Sequence, residues 1–245
     1  MLSFQPTETS EFLKNSEVWR PSDPKDTMPR RTTPFLPDQY YHFYNRGNNR
    51  QTVFFERENY LYFLKGIKKY VREHVEILVY CLMPTHYHIL VRVKPKPQTS
   101  EFLKNSEVSN PQASGAVAAS AEVSTAMMRL SVSYTKAINK RFHRVGALFQ
   151  GQFQGKPIEH YNHLLYLCVY IHANPVKDGL VAMPEDWEFS NYLEWMNLRE
   201  GSLVNREFMQ DNFGMPDEYK ELVMEYIKLR NLPEDVRKYL QDLEK

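Results

Sequence analysis

The chain has 245 residues, 42% of them hydrophobic and 25% charged, which favours one globular domain with tails, or two small domains, over a disordered protein. Its 31 basic and 30 acidic side chains nearly cancel, so the net charge excludes no class of partner. The sequence contains no run of 18 apolar residues and no secretory signal, which predicts a protein without a membrane span. Two cysteines, Cys81 and Cys168, are too few for a disulfide framework and predict buried thiols in a cytoplasmic protein.

The charges are unevenly distributed along the chain. Residues 129–160 carry a net charge of +5, whereas residues 185–245 carry −7. A solvated helix face and a phosphate-binding patch are equally compatible with the basic stretch. The sequence therefore predicts a basic middle region, of open function, followed by an acidic C-terminal region.

Two stretches are rich in proline, serine and other polar residues and lack periodicity. We expect residues 1–34 to form a disordered N-terminal arm and residues 95–122 to form a flexible insertion. The same ten residues, TSEFLKNSEV, occupy positions 9–18 and 99–108. Two copies cannot form a stackable repeat array, so we interpret them as a short DNA sequence duplicated into the gene.

Strands and helices alternate in the remaining sequence. Aromatic and β-branched runs predict strands over 40–46, 75–82, 86–93 and about 153–159. Apolar periodicity and breaker residues predict helices over 57–74, about 121–144, 160–174, 217–230 and 234–244. Pro157 cannot donate a ladder hydrogen bond, which predicts that the fourth strand lies at a sheet edge. The order βαββαβ predicts a ferredoxin-like α+β sandwich with an antiparallel sheet, followed by a further helix and a helical C-terminal extension.

Two histidines in the third predicted strand are candidate metal ligands. His86 and His88 are two residues apart, so both imidazoles project from the same face of the strand. Such a pair forms half of a divalent-metal site, although a His-x-His pair alone also fits a structural or surface role.

The helix predicted over 160–174 carries a second pair of polar candidates. Tyr170 and Asn174 are four residues apart and therefore share one face of the helix, which Pro175 is expected to end. The pattern fits a tyrosine-rich core helix with a polar end. It also fits a nucleophile and an oxygen ligand held on one rigid element.

Four blocks of sequence, in order, carry a family resemblance. They read NRGNNRQTVFF (45–55), LMPTHYHILV (82–91), SYTKAINKRFHRVGALFQGQF (133–153) and YIHANPVKDGLV (170–181). With these blocks the chain resembles the single-tyrosine His-hydrophobic-His (HUH) transposases, and most closely the branch of REP-associated tyrosine transposases. The resemblance extends over roughly residues 35–195.

The resemblance implies a reaction and a role for each candidate. Tyr170 would be the catalytic nucleophile, and His86, His88 and Asn174 would bind Mg²⁺ or Mn²⁺. The protein would be a metal-dependent single-stranded DNA endonuclease and strand transferase that forms a 5′-phosphotyrosine at hairpin or palindromic repeat DNA. A domesticated hairpin-binding protein without cleavage activity, and a metal-dependent hydrolase, are the alternatives.

The same interpretation predicts a DNA surface and an organisation of the chain. Single-stranded DNA would be bound through backbone charge and base stacking, and the expected DNA-binding residues are Arg46, Lys136, Lys140, Arg141, Arg144, Gln150 and Lys156. Residues 35–195 would form the HUH transposase domain, interrupted by the flexible insertion, and residues 196–245 a helical acidic extension. The expected protein is cytoplasmic, associated with the nucleoid, and a monomer or homodimer.

Overall fold

The computed structural model describes residues 34–95 and 111–229, together with Glu234 and residues 236–238. Of residues 111–116 it describes the backbone alone. The predicted N-terminal arm up to residue 33, both copies of the decapeptide and most of the predicted helix 234–244 lie outside the described residues.

A four-stranded antiparallel sheet forms the centre of the fold. Its strands are β1 (Tyr40–Arg46), β2 (Val75–Met83), β3 (His86–Val93) and β4 (Gln154–Pro157). Their order across the sheet is β2-β3-β1-β4, so β3 is paired on both sides and β4 lies at an edge. The predicted ferredoxin-like α+β arrangement and its edge strand are confirmed.

Two helices cover one face of this sheet. Helix α1 (Arg57–Gly66) continues through a π turn over Ile67–Val71, and helix α2 spans Pro111–Arg141. The first core of the molecule lies between them and the sheet, where buried aromatic rings of both helices pack near Tyr87 of β3.

The start of α2 corrects the sequence prediction. The helix begins ten residues earlier than predicted, at Pro111 rather than about residue 121, so the last part of the predicted flexible insertion is helical. The stretch is rich in alanine, the best helix former, and tertiary contacts hold it. Ala119 and Val123 are buried, and the Ser120 hydroxyl accepts a 2.9 Å hydrogen bond from the backbone N–H of Phe35.

The opposite face of the sheet is covered by helix α3 (Tyr161–Lys177) and by the C-terminal helices. These are α4 (Tyr192–Trp195), α5 (Glu207–Phe213) and α6 (Pro216–Leu229). Together they enclose a second core, in which α3 packs on β2 and α6 packs on α3. The helix predicted over 217–230 is thus confirmed, whereas α4 and α5 were not predicted.

Pro175 does not end α3, contrary to the prediction. The helix continues to Lys177, because a proline near the end of a helix removes only one backbone hydrogen bond. The following turn is held by bonds from the Asp178 N–H to the Asn174 carbonyl and from the Leu180 N–H to the Pro175 carbonyl, both 2.9 Å. The last turn brings Lys177 and Asp178 into the site described below.

Two further predictions concern the burial of the cysteines and the lack of a membrane-spanning segment. Cys81 and Cys168 are both buried free thiols, as predicted. Within the described ranges, every helix falls short of the length and apolarity that a bilayer-spanning segment needs.

Candidate active site

A cleft of about 650 Å³ opens where β3 begins and α3 ends. His86 and His88 line it from the strand, and Tyr170 and Asn174 line it from the helix. The four residues predicted to act in catalysis therefore meet in one cleft. The periodicity of each element explains why its two residues share a side. Positions i and i+2 of a strand face one side of a sheet, and positions i and i+4 of a helix face one side of the helix.

His88 is held by a second histidine, His42, which no sequence pattern indicated. Its Nδ1 lies 2.9 Å from Nε2 of His42 on β1, and the two rings stack with centroids 5.0 Å apart. Both imidazoles are buried, and burial lowers the pKa of each below its ordinary value, for His42 to about 3. Both are therefore neutral near pH 7, which is the state in which imidazole binds a metal.

The other two candidate ligands, His86 and Asn174, differ in their contacts with the protein. Nδ1 of His86 lies 2.9 Å from the Thr85 hydroxyl, and the His86 ring meets the His88 ring edge-on at 4.9 Å. Asn174 is 2% exposed, and its Nδ2 is buried without a hydrogen-bond partner. The Asn174 amide thus has hydrogen-bonding capacity that the described part of the fold does not use.

The protein atoms alone do not form a closed metal site. Among the described residues, no group of three or more His, Cys, Asp or Glu side chains is arranged to hold a metal ion. The donors gathered in the cleft are two imidazoles and one amide. Such a set leaves coordination positions for substrate and water, and oxygen donors suit Mg²⁺ and Mn²⁺.

Tyr170 is enclosed by side chains from three directions. It is 3% exposed, and its ring lies 6.1 Å from that of His88 and 6.5 Å from that of Tyr226 on α6. The Lys177 ammonium lies 4.9 Å from the centre of the Tyr170 ring. A cation at this distance favours negative charge on or beside the phenol.

The cleft is predominantly cationic. Of the described charged residues, Arg46, Arg50, Lys177 and Asp178 line it, three cations and one carboxylate. Arg46 is oriented by a 2.6 Å hydrogen bond from its Nε to the Gln150 side chain, which also lines the cleft. The balance of charge favours an anionic ligand such as a phosphodiester.

The predicted DNA-binding residues fall into two groups. Arg46 and Gln150 line the cleft, and Lys156 of β4 is paired in register with His42. The remaining four, from α2 and the turn after it, are not among the lining residues: Lys136, Lys140, Arg141 and Arg144. Arg141 pairs with Glu56 at 3.1 Å, and Arg144 donates a 2.6 Å hydrogen bond to Gln51.

A buried hydrogen-bond network fixes α3 on the side away from the cleft. His172 Nε2 lies 3.0 Å from the Asn191 side-chain oxygen, and His172 Nδ1 lies 2.7 Å from the Tyr219 hydroxyl. Since Nε2–H donates to the oxygen, Nδ1 accepts from the hydroxyl. Asn191 donates in turn to the Leu78 carbonyl of β2 at 3.1 Å. The network ties together the sheet, α3 and α6.

A model of a known protein family matches part of the chain. Residues 36–110 match the family model described as IS200-like transposases. The match contains β1 to β3, and with them His42, His86 and His88, whereas Tyr170 and Asn174 lie beyond it.

A solved structure gives a second similarity. It is that of a REP-associated tyrosine transposase bound to a REP hairpin, with a TM-score of 0.49 and 17% sequence identity. The similarity covers 74% of this chain and 98% of that chain. No curated protein matches the chain.

Proposed function

We propose that the protein is a metal-dependent single-stranded DNA endonuclease and strand transferase that uses Tyr170 as its nucleophile. The observation that carries this proposal is the convergence of Tyr170, His86, His88 and Asn174 in one cationic cleft. The IS200-like signature over residues 36–110 supports a DNA-processing role for the domain that contains the cleft.

The cations of the cleft suit the charge of the proposed substrate. A phosphodiester is an anion and repels an anionic attacking group, so a site that cleaves it must supply positive charge. Arg46 and Arg50 can hold backbone phosphates at the cleft wall, and Lys177 can hold the phosphate nearest the phenol. Single-stranded DNA, or the unpaired flank of a hairpin, fits because its backbone can enter such a cleft.

The proposed cofactor is Mg²⁺ or Mn²⁺, held by His86, His88 and Asn174. The residues fit the ion by their donor chemistry: both imidazoles engage protein atoms through Nδ1, and the Asn174 side chain offers an amide oxygen. When bound, the ion would neutralise the phosphate oxygens and polarise the phosphorus.

The proposed reaction conserves the number of phosphate ester bonds. The Tyr170 oxygen attacks the phosphorus, a phosphotyrosine bond forms, and the bond from phosphorus to the 3′ oxygen breaks. The phenol loses its proton and the departing 3′ oxygen gains one, leaving a 5′-phosphotyrosine and a free 3′-OH. Attack by a second 3′-OH reverses the step and joins a new strand. Lys177 stabilises the negative charge that develops at the phenol oxygen.

A labelled hairpin tests the proposal. The substrate is a single-stranded hairpin with a randomised unpaired flank, carrying one dye at its 5′ end and another at its 3′ end, incubated with Mg²⁺. Cleavage through a 5′-phosphotyrosine transfers only the 3′ dye to the protein in denaturing electrophoresis. We expect this adduct with the unmutated protein and not with Tyr170→Phe, whose hairpin affinity should change by less than about twofold.

Tyr166→Phe is the matched control. It lies one turn earlier on α3, is 38% exposed and lines a separate groove beside α6. This variant should retain the adduct. Binding without an adduct would replace the proposal by the non-cleaving hairpin-binding alternative, and free fragments without an adduct would favour a hydrolase. An adduct with Tyr170→Phe that is lost in Tyr166→Phe would move the nucleophile to Tyr166.

A further inference from the structure

We propose that His42 is a positioning residue that holds His88 in the tautomer required to bind a cation through Nε2. The proposal rests on the function proposed above, because it assumes that His88 is a metal ligand. It assigns a role to a buried residue of β1 that is neither the proposed nucleophile nor a proposed metal ligand.

The geometry leaves His88 one nitrogen for a ligand. His42 and His88 lie on adjacent strands, and their rings are nearly parallel, with an interplanar angle of 18°. The 2.9 Å contact joins His42 Nε2 to His88 Nδ1. A cation in the cleft can therefore reach His88 only at Nε2. The paired strands fix both backbones, so the contact also fixes the orientation of the His88 ring.

One hydrogen atom between the two rings decides whether His88 can bind. A neutral imidazole has one N–H donor and one acceptor nitrogen. If His88 carries its hydrogen on Nδ1 and donates it to His42, its Nε2 presents a lone pair to the cleft. If His42 donates instead, His88 carries its hydrogen on Nε2 and cannot bind a cation. Cation binding therefore requires the first arrangement, with the hydrogen of His42 on Nδ1.

The residues around His42 do not fix which of its nitrogens carries the hydrogen, so a bound cation can determine it. His42 Nδ1 is buried, and no described group forms a hydrogen bond with it. Among the described residues, no donor faces His42 Nδ1 to hold the hydrogen on Nε2, and no acceptor faces it to hold the hydrogen on Nδ1, so neither arrangement is fixed by a partner there. The usual partner of a metal-bound histidine is a carboxylate or a carbonyl oxygen. A histidine in that position orients the ligand without adding negative charge beside a cleft that must accept phosphate.

The test measures Mn²⁺ binding by the full-length protein without DNA. His42→Phe keeps an aromatic ring and removes the acceptor, whereas His42→Gln keeps a terminal acceptor. We expect His42→Phe to weaken Mn²⁺ binding by about 10- to 100-fold, the usual effect of losing an outer-shell partner. His42→Gln should recover most of that loss, and hairpin affinity in EDTA should be the same for all three proteins.

Nitrogen NMR of ¹⁵N-histidine-labelled unmutated protein, saturated with Mg²⁺, provides a second readout that needs no variant. The expected spectrum has His88 protonated at Nδ1 and His42 protonated at Nδ1. A Mg²⁺-saturated protein with the His42 hydrogen on Nε2 would overturn the proposal, as would unchanged Mn²⁺ affinity in His42→Phe.

His86→Ala separates this inference from the proposed function. If His86→Ala abolishes Mn²⁺ binding while His42→Phe leaves it unchanged, the positioning role is wrong and the metal site stands. If the unmutated protein binds no Mn²⁺, both proposals fail.

Discussion

The hydroxyl of Tyr219 lies 2.7 Å from Nδ1 of His172, and both side chains are buried. His172 is two residues after Tyr170 on α3, and Tyr219 belongs to α6 in the acidic C-terminal region. Because neighbouring helix positions face different directions, this bond fixes the rotation of α3 from the side opposite the cleft. The C-terminal region thus takes part in placing the proposed nucleophile.

Removing this bond should destabilise the protein. In Tyr219→Phe, His172 Nδ1 would remain buried without a donor, which costs about 1–3 kcal/mol. The measurement is the free energy of unfolding from urea denaturation. Tyr62→Phe is the control, because its hydroxyl meets Ser133 at an exposed position, and we expect a change below about 0.5 kcal/mol. If the two substitutions lowered the free energy of unfolding equally, the buried bond would stabilise the protein no more than the exposed one does.

His172 should also make stability depend on pH. Burial lowers its pKa from the ordinary 6.5 to about 3 in the folded protein. Between these values the unfolded chain binds a proton that the folded chain does not, so stability falls as the pH falls from 6.5 towards 3. One such residue contributes a slope of about 1.4 kcal/mol per pH unit.

The slope can be measured by urea unfolding between pH 4 and pH 7. His172→Gln should be less stable at pH 7 but should lose less stability on acidification than the unmutated protein does. His160→Gln, which changes an exposed residue just before α3, should retain the full slope. A His172→Gln variant with the unmutated slope would show that His172 is not the group responsible.

The proposed metal ligands should differ in importance. His86→Ala should abolish cleavage of the labelled hairpin, because the remaining donors are one imidazole and one amide. Asn174→Ala should weaken Mn²⁺ binding less, since water can take the place of a neutral amide oxygen. The measurement is the Mn²⁺ concentration that gives half-maximal adduct formation. Full cleavage by the unmutated protein in EDTA would contradict the whole ligand assignment.

The cleft cations should be visible in the salt dependence of binding. If Lys177 contacts a phosphate, Lys177→Met should reduce the slope of log affinity against log salt by about 0.7 for single-stranded DNA. Arg50→Met should act similarly. Lys220→Met is the control, because this lysine lies on α6 and pairs with Glu185 at 3.0 Å. The same titration on Lys136→Met measures whether the basic face of α2 also contacts DNA.

The strands could be predicted closely because their signals are local. The alternation in HYHILVRV and the aromatic run YYHFYNR predicted β3 and β1 with the bounds that the structure gives. The start of α2 was not predictable in the same way. Burial of Ala119 and Val123 decides that the alanine-rich stretch is helical, and burial depends on the rest of the fold.

The candidate site was predictable only where its residues share one element. His86 and His88 follow the two-residue period of a strand, and Tyr170 and Asn174 the four-residue spacing of a helix. His42 was missed because its contact crosses from β1 to β3, and strand register cannot be read from a single sequence. Lys177 was not predicted, because Pro175 predicts the end of the helix before it, whereas α3 continues to Lys177.

The pairing of β3 on both sides affects the order in which parts of the site unfold. His86 and His88 lie in a strand whose backbone is hydrogen-bonded to β1 and β2, whereas Tyr170 lies on a helix joined to the sheet through side-chain packing and side-chain hydrogen bonds. Amide hydrogen exchange in β3 should then require unfolding of the whole sheet, while α3 can open as a smaller cooperative unit. The proposed nucleophile Tyr170 and the two histidines should therefore belong to units of different local stability, so that partial unfolding moves Tyr170 away while His86 and His88 stay together.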